Sequence, residues 1–258
     1  MAANDVMLSS LRSPKEYHED AADVSAQEFI KIVESRRSIR RYASDPIPET
    51  VVRECLRLAY LAPLSSNLHT AELYWVRNPE KKKLLAEYCL GQPAATTAQE
   101  LVVCVARTDT WRRNAKWMVK ALKERGLPTA STIKYYEKLI PIVYTTGPFS
   151  IFAPIKWIIF TAMGLMKPMV RDPLGNSGLQ KWAIKSASLV CENLMLAYRA
   201  FGFDSCPMEG FDEKRVKKLL GLPRGAHVVM VISAGKRTKG GVYGPRIRLD
   251  QEHFIFEV

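Results

Sequence analysis

The stretch Arg36-Arg37-Ser38-Ile39-Arg40 places three guanidinium groups and a hydroxyl within five residues. In an extended segment side chains alternate, so Arg36, Ser38 and Arg40 are expected on one face and Arg37 and Ile39 on the other. At ~3.3 Å per residue, that polar face runs for ~13 Å. Guanidinium groups hold phosphate bidentately and keep their charge. The stretch therefore predicts a site for an anionic ligand larger than phosphate, with a solvated basic strand edge as the alternative.

Composition narrows the classes of protein to consider. The 258 residues are 47% hydrophobic and 25% charged, which is typical of a globular protein. The formal charge of +12 favours an anionic partner: a phosphate-bearing cofactor, nucleic acid or acidic lipid. The five cysteines form no C-x-x-C pair, and the first four lie in apolar patterns, so these four are expected to be reduced core residues of a cytoplasmic protein. The four histidines have no metal-ligand spacing, and residues 1–23 lack the apolar core of a signal peptide.

Hydrophobic periodicity predicts an α+β fold. The capping box at 25–28 opens a short helix with a buried stripe of Phe29, Ile32 and Val33. Further helices are expected over 48–62, 79–91, 183–201 and 212–221, and strands over 73–76, 101–105 and 228–232. We expect one domain over 25–258, with an N-terminal extension at 1–24 and an insertion at about 111–178, where the pattern loosens.

Four segments in order carry a resemblance to a known family: 36–40, 63–67 (Pro-Leu-Ser-Ser-Asn), 206–212 (Cys-Pro-Met-Glu-Gly-Phe-Asp) and 244–248 (Gly-Pro-Arg-Ile-Arg). Together they resemble the FMN-dependent nitroreductase family, over roughly residues 25–107 and 180–258. The resemblance implies a mainly antiparallel sheet flanked by helices, and a homodimer with FMN at its interface. It also implies a C-terminal strand exchanged between subunits, which residues 253–258 fit, although they fit an ordinary edge strand equally.

The resemblance gives roles to the basic residues. The FMN phosphate would be held by Arg36, Ser38, Arg246 and Arg248. Arg37 would face the ribityl chain. Arg40 would lie beside N1 and the C2 carbonyl of the flavin, where negative charge collects on reduction.

Other residues would surround the flavin ring. Pro63, Leu64, Ser65 and Asn67 would close over the cofactor from the opposite subunit, and Gln92 would read the pyrimidine edge. One ring face would lie against Pro207, Met208, Glu209 and Gly210, with the backbone N–H groups of Glu209 and Gly210 near N5. Without the other motifs, 207–210 would be interpreted as a plain turn between helices. No side chain is expected to act as a catalytic group, because the flavin does the chemistry.

The implied activity is reduction of FMN by NAD(P)H in a ping-pong hydride transfer, followed by reduction of a small-molecule acceptor such as a nitroaromatic or quinone. Reductive dehalogenation and flavin fragmentation are alternatives within the same superfamily. A basic nucleic-acid- or membrane-binding module is a further alternative, although no nucleic-acid motif is present. Leu64 and His69 depart from the family pattern, so acceptor specificity does not transfer.

The segment 149–170 is apolar over nearly the length of a bilayer span, but Pro154, Lys156 and Pro168 interrupt it. We consider three roles for it. The first is a lid over the flavin pocket, the second a dimer-contact arm, and the third a membrane-surface helix.

Overall fold

The fold is built on a four-stranded sheet. The computed structural model describes residues 18–126, 130–168 and 170–258. The strands are β1 (Ala71–Trp75), β2 (Glu100–Arg107), β3 (Asp204–Met208) and β4 (Ala226–Gly235), in the order β1-β2-β4-β3. Every neighbouring pair is antiparallel, which confirms the predicted α+β fold around an antiparallel sheet.

Helices cover both faces of this sheet. They are α1 (Ala26–Ser35), α2 (Glu49–Ala59), α3 (Pro79–Tyr88), α4 (Pro93–Thr96), α5 (Trp111–Glu124), α6 (Ala130–Lys134), α7 (Ile140–Tyr144), α8 (Ala153–Gly164), α9 (Asn176–Ala200) and α10 (Glu213–Leu220). A π-helical turn at Tyr135–Leu139 joins α6 to α7, and single 3₁₀ turns lie at Ser65–Asn67, Pro148–Ser150 and Gln251–His253.

Alternation along β2 divides the core into two layers. Val102 and Cys104 pack in the layer that contains α2 and α9, whereas Leu101, Val103 and Val105 pack in the layer that contains α3 and α10. Because both faces are covered, β2 appears in the sequence as a continuous apolar run. All five cysteines are free and buried, which confirms the expectation for the first four.

Local signals placed most element ends correctly. The Ser25 hydroxyl accepts a hydrogen bond from the Glu28 N–H, and the Asp212 side chain accepts one from the Arg215 N–H. Gly221 ends α10 in the left-handed conformation that glycine adopts without steric cost. Strand β3 was missed, and the interpretation of its last residues as a turn is wrong. Pro207 disfavours a strand interior, but it is tolerated here because β3 lies at the edge of the sheet.

One further expectation needs correction. The apolar stripe of α1 is exposed in the single chain, with Phe29 59% and Val33 41% accessible. In the single chain residues 253–258 form no strand and leave Phe254, Ile255 and Phe256 exposed, so the exchange of a C-terminal strand between subunits stays a prediction. Segment 111–178, where the sequence pattern loosens, is mostly helical in its described part. The expected N-terminal extension lies largely outside the described residues, and so does Met169 of the apolar segment.

No helix among the described residues is long and apolar enough to cross a bilayer.

Candidate functional site

The basic stretch after α1 is positioned by a buried carboxylate. Asp204, at the start of β3, is 3% exposed and accepts hydrogen bonds from Arg199 (2.8 Å) and from Nε of Arg237 (2.7 Å). Arg237 also donates to the Ser35 carbonyl at 3.3 Å. The end of α1 is thereby tied to the sheet, and the next residues run extended, with the Ile39 N–H donating to the Ser205 carbonyl.

The glycine-rich loop near the C-terminus lies directly against this stretch. The Arg40 N–H donates to the Gly241 carbonyl at 2.8 Å, and the Arg37 guanidinium donates to the Gly244 carbonyl at 2.7 Å. A Cβ on Gly241 would lie 2.8 Å from the Arg41 carbonyl oxygen, so the backbones approach closely only because this residue is glycine. The loop therefore brings the second pair of arginines beside the first.

Between the two segments is a cavity of about 250 Å³, called here the arginine cavity. Its lining is Arg36, Arg37, Ser38, Arg40, Arg246, Arg248 and the rest of segment 242–248. None of these described lining residues is acidic.

Internal contacts occupy only part of the donor capacity of the arginine cavity. Arg246 donates to the Arg36 carbonyl, and the Arg40 guanidinium lies 5.0 Å from the centroid of the Tyr243 ring. Nε of Arg36 lies 3.9 Å from a carboxylate oxygen of Glu192. The four residues predicted to hold a phosphate are thus brought together. The strict alternation predicted for the stretch is wrong for Arg37, because its guanidinium bends toward Gly244 and lines the same cavity.

A second group of predicted residues meets at the end of β3. The Gln92 amide donates to the Gly210 carbonyl at 3.1 Å and to the Cys89 carbonyl at 3.0 Å. Glu209 and Gly210 are exposed, and their backbone N–H groups find no acceptor among the described residues. The Met208 side chain is 2% exposed and packs in the core, so this residue can offer a ligand only its backbone.

The third predicted group lies apart from the arginine cavity. Pro63, Leu64 and Ser65 line a different cavity of about 330 Å³ with residues of α9, and the Ser65 N–H donates to the Ser186 hydroxyl at 3.3 Å. Pro63, Ser65 and Asn67 are exposed in the single chain. One chain alone therefore does not bring this group to the arginines.

Sequence reasoning missed a set of tyrosines that hold the loop at 63–69. The Tyr135 hydroxyl donates to the Ser66 hydroxyl at 2.7 Å, and the Tyr144 hydroxyl lies 3.1 Å from the same oxygen. Tyr136 donates to the Ser66 carbonyl at 3.0 Å. Burial raises the pKa of Tyr136 to about 12, with a smaller contribution from Tyr135, so the hydroxyl stays protonated as a donor at neutral pH.

These contacts stabilise an unusual backbone. Ser66, Asn67 and His69 have φ values of 54°, 49° and 47°, a region that costs a non-glycine residue ~1–3 kcal/mol. Asn114 of α5 adds hydrogen bonds to the Leu68 and His69 carbonyls at 2.8 and 2.9 Å.

A signal for the tyrosines existed in the sequence. Tyr136, Ile140 and Tyr144 are buried and recur every four residues. That spacing is typical of a packed helical face, but Pro141 obscured it.

The largest of the three cavities described here, of about 630 Å³, lies elsewhere; it is called the largest cavity below. Its lining includes Asp109, Arg112, Arg224, His227 and the first turn of α9. Asp109 accepts two hydrogen bonds of 2.9 Å from Arg107, and a guanidinium NH2 of Arg112 donates to the Thr145 hydroxyl at 2.9 Å. Partial burial, and then the nearby Lys217 charge, lower the pKa of His227, which favours its neutral form.

Comparison with known proteins identifies the class of protein that this fold and site define. The model of the nitroreductase family matches residues 33–236. A relative from Thermus thermophilus named NADH dehydrogenase is 28% identical over 218 residues, covering 84% of this chain and 90% of its own. The chain belongs to the nitroreductase family and is an oxidoreductase of that family.

Solved structures agree with this fold. YdfN of Bacillus subtilis superposes with a TM-score of 0.72 at 23% identity, covering 91% of this chain and all of its own. A protein of Exiguobacterium sibiricum solved in complex with FMN has a TM-score of 0.67 at 22% identity, covering 93% of this chain and 99% of its own.

Proposed function

We propose that the chain is an FMN-dependent oxidoreductase that takes electrons from NAD(P)H and reduces a small electron-poor acceptor, such as a nitroaromatic or a quinone. The observation that carries the proposal is the convergence of Arg36, Ser38, Arg246 and Arg248 on one cavity. The name of the Thermus thermophilus relative supports a reduced nicotinamide donor, and the FMN bound to the Exiguobacterium sibiricum protein supports the cofactor.

The chemistry of the arginine cavity fits the phosphate of FMN. That group carries close to two negative charges at neutral pH and presents three acceptor oxygens. Each guanidinium has five N–H donors, so the contacts to backbone carbonyls leave donors that can still face the cavity. Because no described lining residue is acidic, a bound phosphate would meet no lining carboxylate to repel it.

When bound, FMN supplies the redox chemistry, and the protein supplies binding, orientation and electrostatics. Arg36, Ser38, Arg246 and Arg248 would hold the phosphate and so fix where the rest of the cofactor lies. Arg40 would supply a permanent cation to the pyrimidine part of the ring, which would stabilise negative charge there.

The end of β3 completes the ring site in this proposal. Gln92 fixes the loop at Gly210, and the free N–H groups of Glu209 and Gly210 are donors for the ring edge. No side chain of the protein needs to form a bond with substrate.

We propose that the functional unit is a homodimer, in which 63–67 of one subunit closes over the cofactor held by the other. Two features support this. The stripe of α1 and the tail residues Phe254–Phe256 are apolar and exposed in one chain, and residues 63–65 line a different cavity from the arginines. Deletion of 249–258, which spares Arg248, is expected to lower dimer stability in sedimentation velocity. A truncated chain that remains dimeric, with unchanged melting temperature, would argue against a role for the tail.

Purified protein loaded with FMN tests the function. We expect flavin absorbance near roughly 370 and 450 nm after gel filtration. Without dioxygen, NADH or NADPH should be consumed beyond one equivalent per flavin only when a quinone or nitroaromatic acceptor is supplied. Protein that emerges colourless after saturation with FMN would contradict the proposal.

A further inference from the structure

The second half of segment 111–178 has an exposed apolar surface. The proposed reaction assigns no role to this surface. We call residues 149–166 the apolar arm; it consists of helix α8 and the short stretches on either side. Phe149 is 98% exposed, Trp157 58% and Ile158 61%, and α8 contains no buried residue. Soluble monomers seldom expose a contiguous apolar surface of this kind unless it is an interaction site.

The outward surface of α8 is apolar. Its sequence, Ala-Pro-Ile-Lys-Trp-Ile-Ile-Phe-Thr-Ala-Met-Gly, contains one charged residue, Lys156. Nζ of Lys156 donates to the Val143 carbonyl at 2.8 Å and to the Thr145 carbonyl at 2.6 Å, at the end of α7. The single charge of the helix is thus turned inward, where it fastens the arm to the protein and leaves the outer surface uncharged.

Positive charge flanks this surface, and negative charge is missing from it. Residues 138–171 contain no Asp or Glu. Lys138 precedes the arm, and Lys167 and Arg171 follow it; all three are exposed. An uncharged apolar surface edged by cations complements an anionic lipid bilayer. The acyl chains of the lipids can contact the apolar side chains, and the anionic headgroups attract the cations.

The dimensions and composition of the outward side of the arm suit a membrane surface. That side carries the exposed residues Ile155, Trp157 and Ile158 and no charge, whereas Lys156 faces the protein. Twelve residues of helix extend ~18 Å, well short of the ~30 Å hydrocarbon core, so the arm cannot span a bilayer. Trp157 is exposed and belongs to the residue type enriched at membrane interfaces.

We infer that the apolar arm inserts into the headgroup region of an anionic lipid bilayer and attaches the protein to the membrane surface. The inference stands independently of the proposed reaction.

Vesicle flotation of the full-length protein tests it. The probes are vesicles of phosphatidylcholine alone and vesicles that also contain phosphatidylglycerol, at low salt. The variant Ile155→Glu/Ile158→Glu adds charge at two exposed positions of α8, where folding should tolerate it. The control Val24→Glu/Leu61→Glu makes the same change at exposed apolar residues outside the arm.

Wild type and control are expected to float with the anionic vesicles, and the arm variant to lose roughly tenfold or more in partition. Lys167→Glu/Arg171→Glu should lose mainly the preference for anionic lipid. With lipids brominated in their acyl chains, fluorescence quenching should fall in Trp157→Phe.

Three results would overturn the inference. In the first, wild-type protein does not float with anionic vesicles at low salt. In the second, the arm variant floats to the same extent as wild type. In the third result, wild-type protein does not float with vesicles, and the arm variant has a different sedimentation coefficient from wild type in the absence of vesicles. That result would make the arm a contact between copies of the chain.

Discussion

The arginine cavity and the largest cavity lie at opposite ends of β4, and both are lined by arginines. The arginine cavity borders Ser38, which pairs with Ser205 opposite Ala234, whereas the largest cavity includes His227 at the start of the strand. The largest cavity has more than twice the volume, about 630 against 250 Å³. Volume and the distribution of charge therefore favour different cavities for an anionic cofactor.

The distribution of charge separates the two cavities. In the largest cavity Asp109 is part of the lining, Arg112 lies over the Trp111 ring at 4.6 Å, and His227 favours its neutral form. In the arginine cavity, cations from two segments more than 200 residues apart converge without a lining carboxylate among the described residues. Convergence of guanidinium groups, rather than size, is what makes the arginine cavity the candidate phosphate site.

The largest effect is expected when two cations are removed from the arginine cavity, and the matched control removes two cations from the cavity at the other end of β4. Arg36→Ala/Arg248→Ala should release FMN during gel filtration, because each arginine–phosphate contact contributes ~1.5–3 kcal/mol. Together the two losses correspond to roughly a hundredfold or more in Kd. Arg112→Ala/Arg224→Ala removes the same charge from the largest cavity and should keep its flavin.

Flavin content and melting temperature, measured on both double variants, separate a lost contact from a lost fold. Equal flavin loss from the two variants would mean that net charge, rather than the arginine cavity, controls binding.

An intermediate effect, on stability, is expected for the tyrosines that hold the loop at 63–69. One of them, Tyr144, lines the largest cavity and also contacts Ser66. Tyr135→Phe/Tyr144→Phe removes two hydrogen bonds, which should lower the free energy of unfolding by ~1–3 kcal/mol. The melting temperature should fall by several degrees, because a domain of this size shifts ~2–4 °C per kcal/mol.

Tyr243→Phe, at an exposed hydroxyl, is the matched control for the tyrosine variant. An unchanged melting temperature in the double variant would show that Ser66 keeps its conformation without these tyrosines.

The smallest effect is expected at Arg40, which borders the arginine cavity but is assigned to the ring. Arg40→Gln should lower the midpoint potential of bound FMN, because a cation beside the pyrimidine stabilises the reduced anion. A loss of ~1.4 kcal/mol corresponds to ~30 mV in a two-electron couple. Arg40→Lys keeps the charge and should change the potential less. Potentiometric titration measures both; an equal potential in wild type and Arg40→Gln would place Arg40 away from the ring.

Much of this arrangement could be predicted from the sequence because its signals are local. The caps at Ser25 and Asp212 and the apolar run of β2 depend on residues close together in the chain. The convergence of Arg36 and Arg248 was predicted from the family resemblance, although the bend of Arg37 toward Gly244 depends on a contact 207 residues away.

The failures share a physical cause. The tyrosines that contact Ser66 act across about 70 residues, and β3 depends on its neighbour β4 rather than on its own propensity. The stripe of α1 was expected to be buried because it is apolar, but a single chain provides nothing to cover it. Tertiary partners, which sequence periodicity does not reveal, decided each of these cases.

The central claim is that the arginine cavity binds the phosphate of the cofactor, and the most direct test compares FMN with riboflavin, which lacks that phosphate. The measurement is the ratio of the two dissociation constants, by fluorescence titration, for wild type and for Arg36→Ala/Arg248→Ala. Wild type should prefer FMN by roughly a hundredfold or more, and the double variant should lose most of that preference while binding riboflavin as before. An undiminished preference for FMN in the double variant would contradict the claim and place the phosphate elsewhere.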